Sequence, residues 1–268
     1  MDSYEYIEQN KNLKEKNYFI AYFDILGYEK KIRSNDKELL PYIDSIFRGF
    51  RKWLLTLDNK AGCKIRMKAF SDNILFCTEK DFITLLFLVS RIQFLLICSF
   101  DLFIRGAMLY GKLVFRKDFV FGKGLIDVYK LENEVSLFPR IIIDDSYIVR
   151  AGEMDNSGIP SDFYCIDFDN IKFVDYLEIE KNNSDIPLND HYIRSIYDYN
   201  YQLLSHAYNI RANIDINKGN CRILQKYEWC RNYHKNFCNK YKNDIGLLTN
   251  PEISIESKHQ MEKDLFLS

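Results

Sequence analysis

The chain has 268 residues, 47% hydrophobic, 15% aromatic and 28% charged, with 11 Gly and 5 Pro. That composition is globular and excludes a disordered, collagen-like or low-complexity protein. Lys and Arg number 37 against 38 Asp and Glu, a formal net charge of −1, so a broad electrostatic surface for nucleic acid is not expected. The opening MDSYEYIEQNKNLKEKNYF carries charges where a signal peptide needs an apolar core; export is not expected, and a cytoplasmic location is.

A polar lead, residues 1–17, is expected to be mobile. Tyr18–Leu26 (YFIAYFDIL) is rich in β-formers and ends at Gly27, so it reads as a buried strand. Glu29–Leu57 repeats apolar residues at helical spacing, with Pro41 marking the start of a second helix. Lys64–Phe70 and Asn73–Thr78 are two short strands joined only by Ser71-Asp72, a tight antiparallel hairpin. Phe82–Ile104 is the most apolar stretch. Arg91, Gln93 and Asp101 interrupt it short of the ~18–20 apolar residues of a membrane span, so it reads as a buried helix, Phe82–Phe100, followed by a strand. That strand is Leu102–Tyr110, with Gly106 marking a close approach of backbone. Lys112–Phe121 alternates weakly like a further hairpin. Gly124–Leu137 reads as a helix and Arg140–Ile143 as a strand after Pro139.

The order β-α-α-β-β-α-β predicts an α+β domain of the ferredoxin-like or palm type, an antiparallel sheet with helices, over residues 18–180. A polar link, Glu180–Asp190, precedes His191–Asn213 and Lys218–Tyr241, which read as a C-terminal helical hairpin (residues 191–245) packed on that domain. Residues 249–268 read as a loose tail. The seven Cys form no CxxC pair and are expected as reduced thiols. Cys230, His234 and Cys238 at i, i+4 and i+8 are expected to be one face of an amphipathic helix rather than a metal site, since no second Cys/His pair lies nearby.

Asp24 closes an otherwise apolar strand, and Asp72 sits in a two-residue hairpin between two apolar strands. A carboxylate at the end of a buried strand is costly unless it is paired, capping or metal-bound. In a β-α-α-β-β sheet the first strand and the hairpin tip lie side by side, which brings the two carboxylates to one edge. Two carboxylates and a backbone carbonyl suit Mg²⁺ or Mn²⁺, and a pair of such ions serves in-line attack at phosphorus. The competing reading is that Asp24 caps the next helix and Asp72 makes the turn.

These residues stand in a recognisable order. FIAYFDILGY (Phe19–Tyr28) resembles the first metal motif of class III nucleotide cyclases. KAFSDN (Lys68–Asn73) resembles the second, usually K-x-x-G-D, and IRGAMLYG (Ile104–Gly111) is similar to their central strand. The nearer resemblance is to the bacterial anti-phage pyrimidine cyclases of the Pycsar systems. These share D-I-L-G-[FY], F-S-D and R-G-A, a segment like GLIDVYKLE (Gly124–Glu132), FPRI (Phe138–Ile141) and an aromatic C-terminal helix like KYEWCRNYH (Lys226–His234). It covers residues 18–145 well and the C-terminal helices loosely; motif order and spacing together are specific where each motif is weak.

The resemblance implies that a ribonucleoside triphosphate is cyclised, its 3′-hydroxyl attacking the α-phosphate while pyrophosphate leaves. Asp24 and Asp72 would hold two Mg²⁺ or Mn²⁺ ions, with the Ile25 carbonyl as a further ligand. Leu26, Gly27 and Tyr28 would cradle phosphates at a helix N-terminus, and Ser71 replaces the usual Gly beside the second aspartate. Lys68 stands where purine cyclases keep a base-reading Lys. Aligned through Leu131-Glu132, their base-reading Asp becomes Phe119, their Asn becomes Ile126 and their transition-state Arg becomes Lys130. That incomplete adenine code argues against an ordinary adenylate cyclase. Phe119 either narrows the pocket toward a pyrimidine or packs as core. Lys130 keeps the positive charge without the guanidinium fork, Arg140 is the next candidate cation for the triphosphate, and Arg105 is either catalytic or held in an internal ion pair. Trp53, Trp229, His191, His206 and His234 are expected to be structural.

The implied protein is a homodimer in which one subunit gives the aspartates and the other the base and phosphate contacts. UTP is expected before CTP as substrate. The cyclic product would be an anti-phage signal read by a separate effector protein, with no nucleic-acid or membrane partner. The rivals are an ATP or GTP cyclase reading its base through Lys68, and a non-catalytic nucleotide-binding relative.

Overall fold

The computed structural model describes residues 15–28, 39–182 and 199–241. The sheet is organised around β1 (Lys16–Ile25), whose residues from Phe19 to Phe23 are fully or nearly fully buried. The strands β2 (Arg66–Phe70), β3 (Asn73–Thr78), β4 (Ile104–Phe115), β6 (Ile141–Ile143), β7 (Tyr164–Ile166) and β8 (Lys172–Val174) join it in the order β2-β3-β1-β4-β6-β8-β7; the two-residue β5 (Val120–Phe121) pairs with β4 off that path. β1 lies antiparallel between β3 and β4, and β2 is antiparallel to β3. For these four strands this is the ferredoxin-like order; β6 then adds in parallel to β4. The fold is α+β, as the residue pattern predicts.

Strand alternation gives β1 two faces. Phe19 points to one face, meeting Phe82 at 5.3 Å and Tyr147 at 4.8 Å between ring centroids. Phe82 opens helix α2 (Phe82–Phe100), which is buried over most of its length; it is the one described helix long and apolar enough to span a bilayer. α1 (Leu39–Ala61) precedes β2, and α4 (Asp145–Met154) supplies Tyr147, whose hydroxyl donates to the Phe82 carbonyl at 2.7 Å. The first part of the expected helical segment, residues 29–38, lies outside the described residues.

Ile20, Tyr22 and Asp24 point to the other face, covered in part by α3 (Lys123–Lys130). A Cβ on Gly124 would stand 2.7 Å from the Ile20 side chain, so glycine lets this short helix lie directly on the strand. The close approach expected at Gly106 is to β1 itself: a Cβ there would sit 2.3 Å from the Tyr22 carbonyl oxygen. The helix expected to run through Leu137 stops at Lys130 and continues as a wider π turn, Leu131–Val135, which turns Glu132 inward. The expected strand Arg140–Ile143 begins one residue later, at Ile141.

α5 (Tyr176–Asn182) leads toward the C-terminal part, where α6 (Tyr199–Ile216) and α7 (Cys221–Lys240) form an antiparallel pair lying on α2 and α5. Residues 183–198 of the expected link and hairpin, and the tail beyond 241, lie outside the described residues. The pair is tied inward by a buried polar chain. The Tyr176 hydroxyl lies 2.7 Å from His206 Nε2, His206 Nδ1 lies 2.9 Å from His234 Nδ1, and His234 Nε2 lies 3.3 Å from Cys238 Sγ. Two proton arrangements satisfy every link, one with the donors running from Tyr176 through His206 and His234 to the sulfur and one running the opposite way. Both rings are then neutral.

Burial, and then His234, hold the His206 pKa well below the ordinary histidine value. A depressed folded-state pKa means that the unfolded chain binds more protons below pH ~6.5, so this contribution to stability is complete above that pH and lost as pH falls through it. Between pH 5 and 6.5, the unfolding free energy of the wild type should therefore rise with pH more steeply than that of His206→Gln, by up to about 1.4 kcal/mol per pH unit. Equal slopes in urea titrations would show that the pair is not held neutral by the fold.

Candidate active site at the end of the central strand

The two candidate metal aspartates are brought together by backbone. Asp24 is paired across the ladder with Asn73, and the next N–H along, that of Ile25, donates to the Asp72 carbonyl at 3.0 Å. This clamps the β2–β3 hairpin tip to the last residue of β1. Directly opposed residues share a face, so the Asn73 side chain stands beside Asp24. Its amide donates to Asp72 Oδ1 at 3.0 Å and its oxygen accepts from the Tyr22 hydroxyl. Asp24 and the hairpin tip that carries Asp72 thus lie at the same end of the sheet, with Asn73 paired to the one along the ladder and hydrogen-bonded to the other.

The hairpin loop explains one departure from the usual motif. Ser71 has φ +59°, in the left-handed region where glycine is ordinarily placed. Its side chain is exposed and makes no hydrogen bond among the described residues. At the other side of the edge, Gly27 has φ +74°, which turns the chain sharply out of β1, and the Leu26 N–H donates to the Phe103 carbonyl at 2.8 Å. The helix N-terminus expected beyond Tyr28 lies outside the described residues.

A charge network backs the aspartates. Arg105 faces Asp24 across β4, with Nη2 3.4 Å from Asp24 Oδ2. Its Nε lies 2.8 Å from Glu132 Oε1, an ion pair rather than an aligned hydrogen bond. Burial raises the Asp24 carboxyl above its ordinary range, with Arg105 opposing and Asp72 adding to the rise. Burial likewise pushes Glu132 up to about 7, again against Arg105. Asp24 Oδ1 is buried and accepts no hydrogen bond. An orphaned carboxylate oxygen of this kind is expensive unless a cation meets it.

Two members of this network stand in the motifs quoted above but are given no role by the sequence. Glu132 is a buried acid aimed by the π turn; its signal is only the i+2 spacing from Lys130. Lys226, on α7, is half-buried, and its pKa is lowered by burial and then by Arg105, with Asp24 and Glu132 opposing. Nothing near Lys226 in the sequence marks its approach to a strand some 200 residues earlier.

The remaining candidates separate. Lys68 lies on the same sheet face as Tyr22, through Leu75. Its ammonium donates to the Lys117 carbonyl, in the loop that also carries Phe119. Phe119 is half-buried and stacks on Phe121 at 5.6 Å. Lys130 is exposed at the end of α3.

Arg140 is placed otherwise than its expected role requires. It is fully buried, paired with both Asp167 and Asp169, and surrounded by the rings of Phe138, Phe173 and Trp229. Its charge is consumed inside the flank of the sheet, so no face is left for a triphosphate. Among the described residues, no group of three or more His, Cys, Asp or Glu side chains is arranged to hold a metal; the Asp24–Asp72 pair is smaller than that.

No protein-family model and no curated protein matches the chain. Among solved structures, the adenylyl cyclase CyaB from P. aeruginosa superposes with a TM-score of 0.39 at 15% identity, over 60% of this chain and 93% of that one. The guanylyl cyclase Cya2 does so with a TM-score of 0.39 at 13% identity, over 60% and 91%. The strand order and register, rather than these superpositions, define the fold.

Replacing Arg140 by Met should leave Asp167 and Asp169 without their cation and lower stability by about 3 kcal/mol or more, the usual cost of breaking one side of a buried pair. Denaturant melts measure this directly. A variant as stable as wild type would return Arg140 to the list of free cations.

Proposed function

We propose that the chain is a nucleotide cyclase acting on a pyrimidine ribonucleoside triphosphate, UTP before CTP. The observation that supports it most is the hydrogen bond that fixes the Asp72 hairpin tip to the end of β1 carrying Asp24, with a buried Asp24 oxygen left without a partner. That oxygen, and an Asp72 carboxylate whose side-chain partner among the described residues is Asn73, suit a divalent cation. Asp24, Asp72 and the Ile25 carbonyl would hold Mg²⁺ or Mn²⁺. When bound, these ions supply acidity to a 3′-hydroxyl and countercharge to a leaving pyrophosphate.

The chain's own residues then have distinct tasks. Arg105 opposes the rise that burial imposes on the Asp24 pKa, and Glu132 pairs with Arg105. The backbone at Gly27 and Tyr28, with Ser71, lies where phosphate oxygens would rest. Lys68 and the Phe119 loop would form the base end: an ammonium to donate to a pyrimidine carbonyl, which UTP offers twice and CTP once, and a ring to shorten the pocket. Lys130, exposed, takes the part of the transition-state cation, in place of the buried Arg140. In the reaction the 3′-oxygen bonds to the α-phosphorus, the bond to the β-phosphate breaks, pyrophosphate departs, and the hydroxyl proton passes to solvent.

We place Lys130 and the Phe119 loop opposite Asp24 of a second copy, in a two-fold dimer. The exposed Phe70, Phe121, Ile126 and Tyr129 provide apolar surface for such a contact. The product would serve as a defence signal for a separate effector protein. Purified protein with Mn²⁺ and each of the four nucleoside triphosphates, with products resolved by mass, should yield cyclic UMP fastest. Asp24→Asn and Asp72→Asn should each lose at least about a hundredfold in turnover with an unchanged melting transition. Faster turnover of ATP or GTP would make it a purine cyclase, and no cyclic product from any of the four would leave a nucleotide-binding protein.

A further inference from the structure

The C-terminal hairpin does more than cover α2. At the start of α7, the Tyr227 ring packs edge-on against Phe103 at 4.9 Å, and Phe103 supplies the carbonyl that receives the Leu26 N–H. The first turns of α7 therefore stand over the end of β1 that carries Asp24. Lys226, next to Tyr227, is half-buried there and makes no hydrogen bond or ion pair among the described residues. Its charged surroundings are Arg105 and Arg222, which repel it, and Asp24 and Glu132, which attract it. Glu132 is already engaged by Arg105, and so is one oxygen of Asp24. Arg222, one turn earlier on the same face of α7, is exposed and likewise unpaired.

An ammonium stripped of part of its water, without a bonded partner and beside a second cation, costs stability unless an anion joins it. We propose that Lys226 is a polyphosphate contact supplied in cis: its ammonium, with Arg222 at the rim, binds the phosphate chain of the nucleotide seated at Asp24 and Asp72. This rests on the nucleotide-binding reading above, but not on cyclisation. It makes the C-terminal hairpin part of the substrate site. Lysine suits the task, because a compact point charge with three donors serves phosphate oxygens that move as a bond to phosphorus breaks.

The test uses inorganic tripolyphosphate as the probe, titrated calorimetrically into the full chain with Mn²⁺ present. Lys226→Gln should weaken binding about tenfold, the scale of one charge-assisted hydrogen bond. Lys226→Arg should restore most of it, and Arg222→Gln should weaken it two- to threefold, a solvent-exposed contribution. Thermal melts of each variant show whether the fold is retained. If Lys226 only balances Asp24 and Glu132, Lys226→Gln will melt earlier and bind tripolyphosphate as wild type does, which overturns the proposal. Absence of tripolyphosphate binding by wild type overturns it as well. If binding depends on Lys226 while no nucleoside triphosphate is cyclised, the contact stands and the assigned reaction falls.

Discussion

Everything at the candidate site depends on β1 being hydrogen-bonded on both sides. Because β1 is central, its last residues are held at once by β3 through Asn73, by β4 through Arg105, and by the hairpin tip through the Ile25–Asp72 bond. A carboxylate at the end of an edge strand would be free to turn toward water. At the end of this strand it is caught between ladders, and its charge must be met where it stands. Arg105 meets it on one side and leaves the other oxygen unanswered.

The charge arithmetic around that point is unusual for a chain so near neutrality overall. Asp24, Asp72 and Glu132 stand near Arg105 and Lys226. Burial raises both Asp24 and Glu132, and Arg105 opposes each rise. A third positive group, whether cation or proton, therefore has a place to go.

The elements legible in the sequence were those set by local physics. The apolar run of β1, the two-residue hairpin and the continuous apolar helix Phe82–Phe100 fall where the residue pattern puts them, and Gly106 marks a real approach of backbone. That the hairpin tip lies beside the end of β1 follows from strand order, because a βαββαβ chain has few ways to arrange its first strand and its hairpin. What the pattern could not supply were partners distant along the chain. Arg140 looks like a free cation until Asp167 and Asp169 fold against it. Lys226 looks like an ordinary helix-surface lysine until α7 lies over β1. The π turn that aims Glu132 has no distinct residue signature, since LENEV reads equally well as α-helix. Charge is visible in a sequence, but the company it keeps is not.

The enclosure of Arg140 also carries a consequence for how the protein is made. Its carboxylate partners emerge 27 and 29 residues after it, and Trp229, which packs over the guanidinium and donates its indole N–H to Asp167 at 2.7 Å, follows Asp167 by 62 residues. Synthesis runs from the N-terminus at ~5–20 residues per second, so the ferredoxin-like half is complete well before this flank has its lid. For several seconds the nascent chain carries an arginine whose aromatic cover from Trp229 is still inside the ribosome. Completion of α7 is the event that closes it. A release or pause before residue 229 would leave a translation product in which Arg140 lacks that indole cover and Asp167 its indole donor.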